Sequence, residues 1–372
     1  MRVLMIEWFL PESTYTLELT KELNVDLTIV CRRGTNIPQK KTLDILYQGG
    51  EHNKLRAAKQ YLCGLMRLKR EILSGNYNIV HVQGFKDAKR EIPFYEKLKK
   101  QKDFPLVHTV HNLLPHEATE TDKTLYGDFY KDCDLLVVHN QWCKTLLMQD
   151  YGISEEKILV TPHGHYSIET EWTNKGMRTN GNWERYTNFL LFGLFRKYKG
   201  IDILLHAIAQ IPPEKRRNMH WTIAGNQFKA LDDTDYSKMI WDLGIQNSVS
   251  LEVHYIPENA LPLLFGNADY AVFPYREIYG SGALLMAMTF GKLIITSDIP
   301  VFKEETNDGE IGFLFASENS EDLARVMIEA HELKQKEYEK KQQKIRKLLN
   351  TKYNWKFSDK LLVDGYRKIF NQ

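Results

Sequence analysis

The sequence predicts an α/β protein built from two parallel-sheet halves. Apolar runs of strand length alternate with longer amphipathic stretches, and short buried strands separated by helices belong to βαβ units. A polar stretch from Tyr166 to Asn188, with Gly176 and Gly181 and no apolar period, interrupts the alternation, which then restarts. The length of 372 residues suits two such halves at roughly 150 residues per domain.

In the first half, Arg2–Ile6 and Asp26–Val30 read as buried strands, followed by Ile79–Val82, Leu106–Val110, Leu135–Val138 and Ile158–Val160. Amphipathic spacing predicts helices at Tyr15–Leu23, Lys54–Leu73, Ile92–Lys100 and Cys143–Tyr151. In the second half the strands are Phe189–Phe192, Trp221–Ala224, Val249–Val253, Tyr270–Phe273 and Leu293–Thr296. Helices fall at Ile201–Ala209, Ser237–Leu243, Ala260–Phe265 and Ala283–Phe290, with Glu321–Leu349 as one long charged helical stretch. Two facing halves would form a cleft, and ligands in such folds bind beyond the carboxyl ends of the strands.

The chain is 43% hydrophobic and 26% charged, an ordinary globular mix that excludes disordered and collagen-like classes. No uncharged apolar run approaches the roughly 18 residues of a membrane span. The start, MRVLMIEWFLPEST, is broken by Glu7 and lacks a basic region, so it is a poor signal peptide. Four cysteines without a CxxC pair read as reduced thiols in a cytoplasmic protein. The net charge of +2 hides a local excess, because Lys54 to Lys102 holds thirteen Lys and Arg against four acids. That excess implies an anionic partner: a membrane surface, a diphosphate or nucleic acid. A solvated helix face is the alternative. LRAAKQYLCGLMRLKREIL interleaves Leu55, Tyr61, Leu62, Leu65, Met66 and Leu68 with five cations, as an interfacial helix would.

No GxGxxG, GxxxxGK[ST] or HExxH occurs. Asp233-Thr234-Asp235 has a DxD look, but it lies in a polar loop where acids are common; no metal and no cofactor is expected. FGLFRKYKGIDILLHAI (192–208) places Arg196 and Lys199 between a strand end and a helix start, a setting that favours a diphosphate. FPYREIYGSGALLMAMTFGKLIITSD (273–298) opens a helix at Ser281-Gly282-Ala283, with Ser281 as the N-cap. HTVHNLLPHE (108–117) follows a buried strand and supplies His111, Asn112, His116 and Glu117. A histidine of near-neutral pKa there can donate to a phosphate or accept a hydroxyl proton. His139-Asn140 ends the next strand, and His163-Gly164-His165 reads as a turn.

The order of these motifs resembles the GT-B nucleotide-sugar glycosyltransferases of the family 4 type. The basic loop ending in Lys199-Gly200 is followed by the Ile223-Ala224-Gly225 strand end, Ala268-Asp269 to Pro274, the glycine-rich helix start, Ala287 to Ile295, and Asp308 to Leu314. YNWKFSDKLLVDGYRKIF (353–370) resembles the family's closing helix, which crosses back to the first domain. The resemblance implies two Rossmann-like parallel-sheet domains facing across a cleft. Residues 1–166 would form the acceptor side, 167–188 a linker, 189–350 the nucleotide-sugar domain, and 351–372 the closing helix.

In this resemblance Arg196 and Lys199 grip the donor diphosphate, assisted by Ser281, Gly282 and Ala283. Asn112, Gly225, Glu277 and Tyr279 face the donor sugar or nucleotide. His111 acts on sugar or phosphate, and Glu117 is a candidate base. The chain departs from the family's pair of glutamates eight apart, which here become Ile278 and Met286; Glu277 is one residue early. The implied activity is hexosyl transfer from a UDP- or GDP-linked sugar to a glycan or lipid-linked acceptor in bacterial surface polysaccharide assembly. The protein would be metal-independent and cytoplasmic, docked peripherally on the inner membrane face through residues 54–102. A degenerate scaffold without activity, and a nucleotide-sugar epimerase or hydrolase, stay open as alternatives. Nucleic acid is not expected, since no recognition module accompanies the basic stretch.

Overall fold

The structure is a computed structural model that describes residues 1–37, 40–115, 118–166 and 186–371. It divides into two units, Met1–Gly164 with Lys352–Gln372, and His165–Thr351.

The first unit holds a seven-stranded parallel sheet: β1 (Arg2–Ile6), β2 (Asp26–Arg32), β3 (Lys41–Leu46), β4 (Ile79–Val82), β5 (Leu106–Thr109), β6 (Leu135–Val138) and β7 (Ile158–Val160). Their order is β3-β2-β1-β4-β5-β6-β7, so the winding reverses between β1 and β4, where Rossmann-like domains open a crevice. Strands β4, β5 and β6 are buried along their whole length, as a parallel sheet covered on both faces requires. The helix Trp355–Phe370 packs on this unit, placing Leu362, Tyr366 and Ile369 in one core with Val3, Tyr15 and Val137.

The second unit holds β8 (Thr187–Phe192), β9 (Met219–Gly225), β10 (Val249–Val253), β11 (Tyr270–Phe273), β12 (Leu293–Ser297) and β13 (Gly312–Phe315), all parallel, in the order β10-β9-β8-β11-β12-β13. Here the reversal lies between β8 and β11.

Several elements differ from the sequence reading. Residues 167–185 of the expected linker lie outside the described residues, whereas Thr187 and Asn188 already belong to β8. Strand β3 has no apolar run; it is an edge strand carrying Lys41, Thr42 and Asp44. The Asp308–Leu314 turn leads into a strand, β13. Helix Glu120–Asp132 has few aliphatic residues and is set by a capping box between Thr119 and Asp122 and by buried Tyr126, Phe129 and Tyr130. The long charged stretch is two helices, Ser320–His331 and Gln335–Asn350. The break lets the first bury five apolar side chains and the second turn Tyr338 inward, where its hydroxyl donates to the Asp269 carbonyl at 2.7 Å.

Candidate functional site

In the second unit the site grows from the loop after β8. The chain makes a single tight turn at Lys197–Lys199 and enters helix Ile201–Gln210 through Gly200. Gly200 has φ +63°, and a Cβ there would stand 2.0 Å from the Pro274 carbonyl oxygen. Only glycine fits that backbone and that approach. The loop after β8 therefore lies directly on the loop after β11, at the topological reversal. Arg276 ties the two together: its amide donates to the Tyr198 carbonyl at 2.7 Å, and its guanidinium forks onto Asp202 at 3.0 and 2.6 Å. Gly225 closes the other side, since a Cβ there would lie 1.9 Å from the Gly193 carbonyl oxygen.

The cations of this corner have different fates. Lys197 pairs with Asp233 at 3.2 Å, and Arg276 pairs with Asp202 and Glu318. Lys199 is only 7% exposed and forms no ion pair among the described residues. Its ammonium lies 5.4 Å from the centre of the Tyr275 ring and crowds Gly193, whose Cβ would be 2.7 Å away. Burial, and then the neighbouring Arg196, push its pKa down to about 8. The Tyr275 hydroxyl lies toward Ser281, so the lysine corner and the start of helix Gly282–Thr289 are contiguous. Ser281 caps that helix by accepting from the Leu284 amide at 3.2 Å. The amides of Gly282 and Ala283 make no hydrogen bond among the described residues. Glu277 is exposed, while Tyr279, Ile278 and Met286 are half-buried.

The acids of the DxD-like loop have structural partners. Buried Asp232 accepts from the Tyr236 hydroxyl, Asp233 holds Lys197, and Asp235 caps helix Tyr236–Asp242. Among the described residues no group of three or more His, Cys, Asp or Glu is placed to hold a metal.

In the first unit His111 stands just beyond β5, and Asn112 beside it is exposed. His116 and Glu117 lie outside the described residues. Two histidines that the sequence reading left at the margin surround His111. Its Nδ1 is 3.4 Å from His139 Nε2, at the end of β6, and His139 Nδ1 is 2.9 Å from the Thr161 carbonyl. His163 follows β7, with its ring centre 5.8 Å from that of His139. The Tyr15 ring contacts all three, at 4.8 Å from His111 and 5.0 Å from each of the others. Burial holds every one of these imidazoles below its ordinary pKa, His163 at about 3 and His111 well below. They are therefore neutral near pH 7. Nothing local in the sequence signals this cluster, because its members come from three strand ends.

Glu91 was also missed. It is fully buried, and its Oε1 accepts from the Tyr61 hydroxyl at 2.8 Å and from the amides of Lys86 and Asp87 at 3.1 and 2.9 Å. Its Oε2 has no hydrogen-bond partner among the described residues, and burial pushes its pKa up to about 7. The basic helix Lys54–Ser74 divides its apolar residues between two faces. Tyr61, Leu65 and Leu68 are buried, while Leu55, Leu62 and Met66 are exposed on the side that carries Lys59 and Arg70. Among the described residues no helix is long and apolar enough to cross a membrane.

Two parallel-sheet units, each with a reversal in its strand order, match the fold of the GT-B glycosyltransferases. The Glycosyltransferase Family 4 model matches residues 13–165, and the Glycosyl transferases group 1 model matches residues 177–348. With most of its length taken in by these two models, the chain belongs to the GT-B glycosyltransferases, of the type resembling family 4. A GDP-mannose:glycolipid 4-beta-D-mannosyltransferase of Xanthomonas campestris pv. campestris is 24% identical over 238 residues, 60% of each chain. A D-inositol 3-phosphate glycosyltransferase of Thermobifida fusca is 24% identical over 72% of this chain and 65% of its own. The matches thus span 60% of the first mannosyltransferase's length and 49% of a second one's. Among solved structures, Anabaena HepE in complex with UDP and glucose has TM-score 0.75 at 15% identity, covering 98% of both chains. Sucrose-phosphate synthase of Thermosynechococcus elongatus has TM-score 0.78 at 15% identity, covering 100% of this chain and 99% of its own.

Proposed function

We propose that this protein transfers a hexosyl group from a nucleotide-diphosphate sugar to a glycan or lipid-linked glycan acceptor in bacterial surface polysaccharide assembly. The observation that carries the reading is Lys199, a buried ammonium at the carboxyl end of β8 with no counter-ion among the described residues. A buried cation left unpaired is costly, and a donor diphosphate supplies the missing charge. As the bond to the sugar breaks, negative charge grows on the leaving diphosphate. Lys199 and Arg196 neutralise it, and the amides of Gly282 and Ala283 donate to its oxygens. Asn112, Gly225, Glu277 and Tyr279 are assigned to the donor sugar or nucleotide. His111 acts on the sugar or the phosphate, with Glu117 as candidate base.

The mannosyltransferase relatives, named for GDP-mannose and a glycolipid, favour a lipid-linked acceptor. So does the outward face of helix Lys54–Ser74: Leu55, Leu62 and Met66 among Arg56, Lys59 and Arg70 suit the interface of an anionic membrane. The protein would then work as a peripheral enzyme on the cytoplasmic face. UDP and GDP are the nucleotides to expect.

The test is thermal stabilisation by UDP, GDP, ADP, dTDP and CMP, with Arg196→Ala alongside. One diphosphate should stabilise the wild type and lose its effect in the variant. A panel in which no nucleotide shifts the melting temperature would sink the donor site and favour a degenerate scaffold.

A further inference from the structure

The hydrogen bonds that end at His111 have a direction fixed by elementary valence. At the far end stands the Thr161 carbonyl oxygen, which has no proton to give. His139 Nδ1, 2.9 Å away, is therefore the N–H. Burial keeps His139 neutral, and a neutral imidazole carries one proton. Its Nε2 is thus a bare lone pair, and its neighbour at 3.4 Å is His111 Nδ1. That contact is a hydrogen bond only when His111 Nδ1 bears the hydrogen. His111 is neutral as well, for the same reason of burial and because His139 and His163 stand beside it. Its own single proton is then accounted for. His111 Nε2 is left as a lone pair with no hydrogen bond among the described residues.

We propose that His139 is a positioning residue that holds His111 in the Nδ1–H tautomer, so that His111 Nε2 accepts a hydrogen bond from a sugar hydroxyl. The alternative tautomer would present an N–H to the substrate and suit a phosphate oxygen instead. The choice between sugar and phosphate, open on residue identity alone, is thereby settled in favour of the hydroxyl. The rings have little room to escape this arrangement. Tyr15 meets His111 edge-on at an interplanar angle of 89°, and it also contacts His139 and His163. His163 has its own Nδ1 committed to the Gly164 carbonyl at 2.6 Å, so it does not compete for His139. The assignment of the substrate hydroxyl rests on the glycosyltransferase reading; the tautomer itself does not.

The test uses the full chain labelled with 15N-histidine, read by long-range proton–nitrogen correlation and assigned with His111→Gln. Wild type should show His111 protonated at Nδ1 and bare at Nε2. His139→Phe should release it to the Nε2–H form that an isolated neutral imidazole prefers. His139→Gln, whose side-chain oxygen can accept in place of Nε2, should restore the Nδ1–H form. With the donor found by the nucleotide panel, His139→Phe should lower kcat by roughly tenfold or more. The donor KM should stay within about twofold, and His139→Gln should recover most of the loss. An Nε2–H His111 in wild type overturns the proposal, and so does a His139→Phe variant with unchanged tautomer and kcat. If no sugar is transferred at all, the glycosyltransferase reading fails, while the nitrogen spectrum still decides the role of His139.

Discussion

Replacing Lys199 with methionine should do two opposite things. Methionine matches the four-atom apolar stem of lysine while removing the ammonium and its charge. A fall in pKa from the ordinary 10.5 to about 8 means that the folded state pays about 3 kcal/mol to keep this ammonium charged, at ~1.4 kcal/mol per tenfold. The folded pKa is depressed below the unfolded one, so the penalty is complete below about pH 8 and fades as pH rises toward 10.5. Lys199→Met should therefore be more stable than wild type at pH 7 in the absence of nucleotide. For a unit of this size, where ~2–4 °C accompany each kcal/mol, the gain is roughly 6–12 °C at most. The advantage should shrink when both proteins are melted at pH 10. The same variant should bind the donor nucleotide about 10- to 150-fold more weakly, the loss of a charged hydrogen bond worth ~1.5–3 kcal/mol. Calorimetric melts with and without the nucleotide, together with a binding titration, read both effects. A variant that melts lower than wild type, or that binds the nucleotide equally well, would refute the reasoning.

Two further outcomes can be checked. Glu91 has a folded pKa near 7 against an ordinary 4.5, so wild-type stability should fall by up to about 3 kcal/mol as pH rises through that window. Glu91→Gln keeps the acceptor for Tyr61 and the two amides, and in denaturant titrations at pH 5 and pH 8 it should abolish most of that difference. Leu62→Glu with Met66→Glu alters only exposed positions and should leave the melting temperature within about 0.5 kcal/mol of wild type. It should also strip binding to vesicles containing anionic lipid, since each side chain forfeits ~1.5–3 kcal/mol of apolar burial; sedimentation with the vesicles measures this, and undiminished binding would assign the face to solvent.

What could be read in advance followed from how local each signal is. The central strands of both sheets are apolar along their length, and runs such as Leu135–Val138 announce themselves. An edge strand has only one neighbour and need not be apolar throughout, which is why Lys41–Leu46 left no trace. Helix Glu120–Asp132 did carry a signal, Thr119 three residues before Asp122, but its sparse aliphatic pattern hid it. The place of Arg196 and Lys199 between a strand end and a helix start was legible because loop, glycine and helix start are consecutive. That Lys199 has no counter-ion among the described residues was not legible. It emerges only once Asp233 is seen to serve Lys197 and Asp202 to serve Arg276. His139 is 28 residues from His111 in sequence, and only the pairing of β5 with β6 makes them neighbours.

The helix Trp355–Phe370 has a consequence for the order in which the protein assembles during synthesis. Its Tyr366 hydroxyl meets His81 Nδ1 at 2.5 Å, Ser358 donates to the Pro162 carbonyl at 2.5 Å, and Ile369 shares a core with Val3. The first unit is therefore discontinuous in sequence, whereas His165–Thr351 is one uninterrupted stretch. On the ribosome, where domains generally fold as they emerge, the second unit can close its sheet while the first still waits for the segment that covers Tyr15, Leu19 and Val137. The part of the chain made first is thus finished last, and until then it carries an open apolar face of the kind that chaperones recognise.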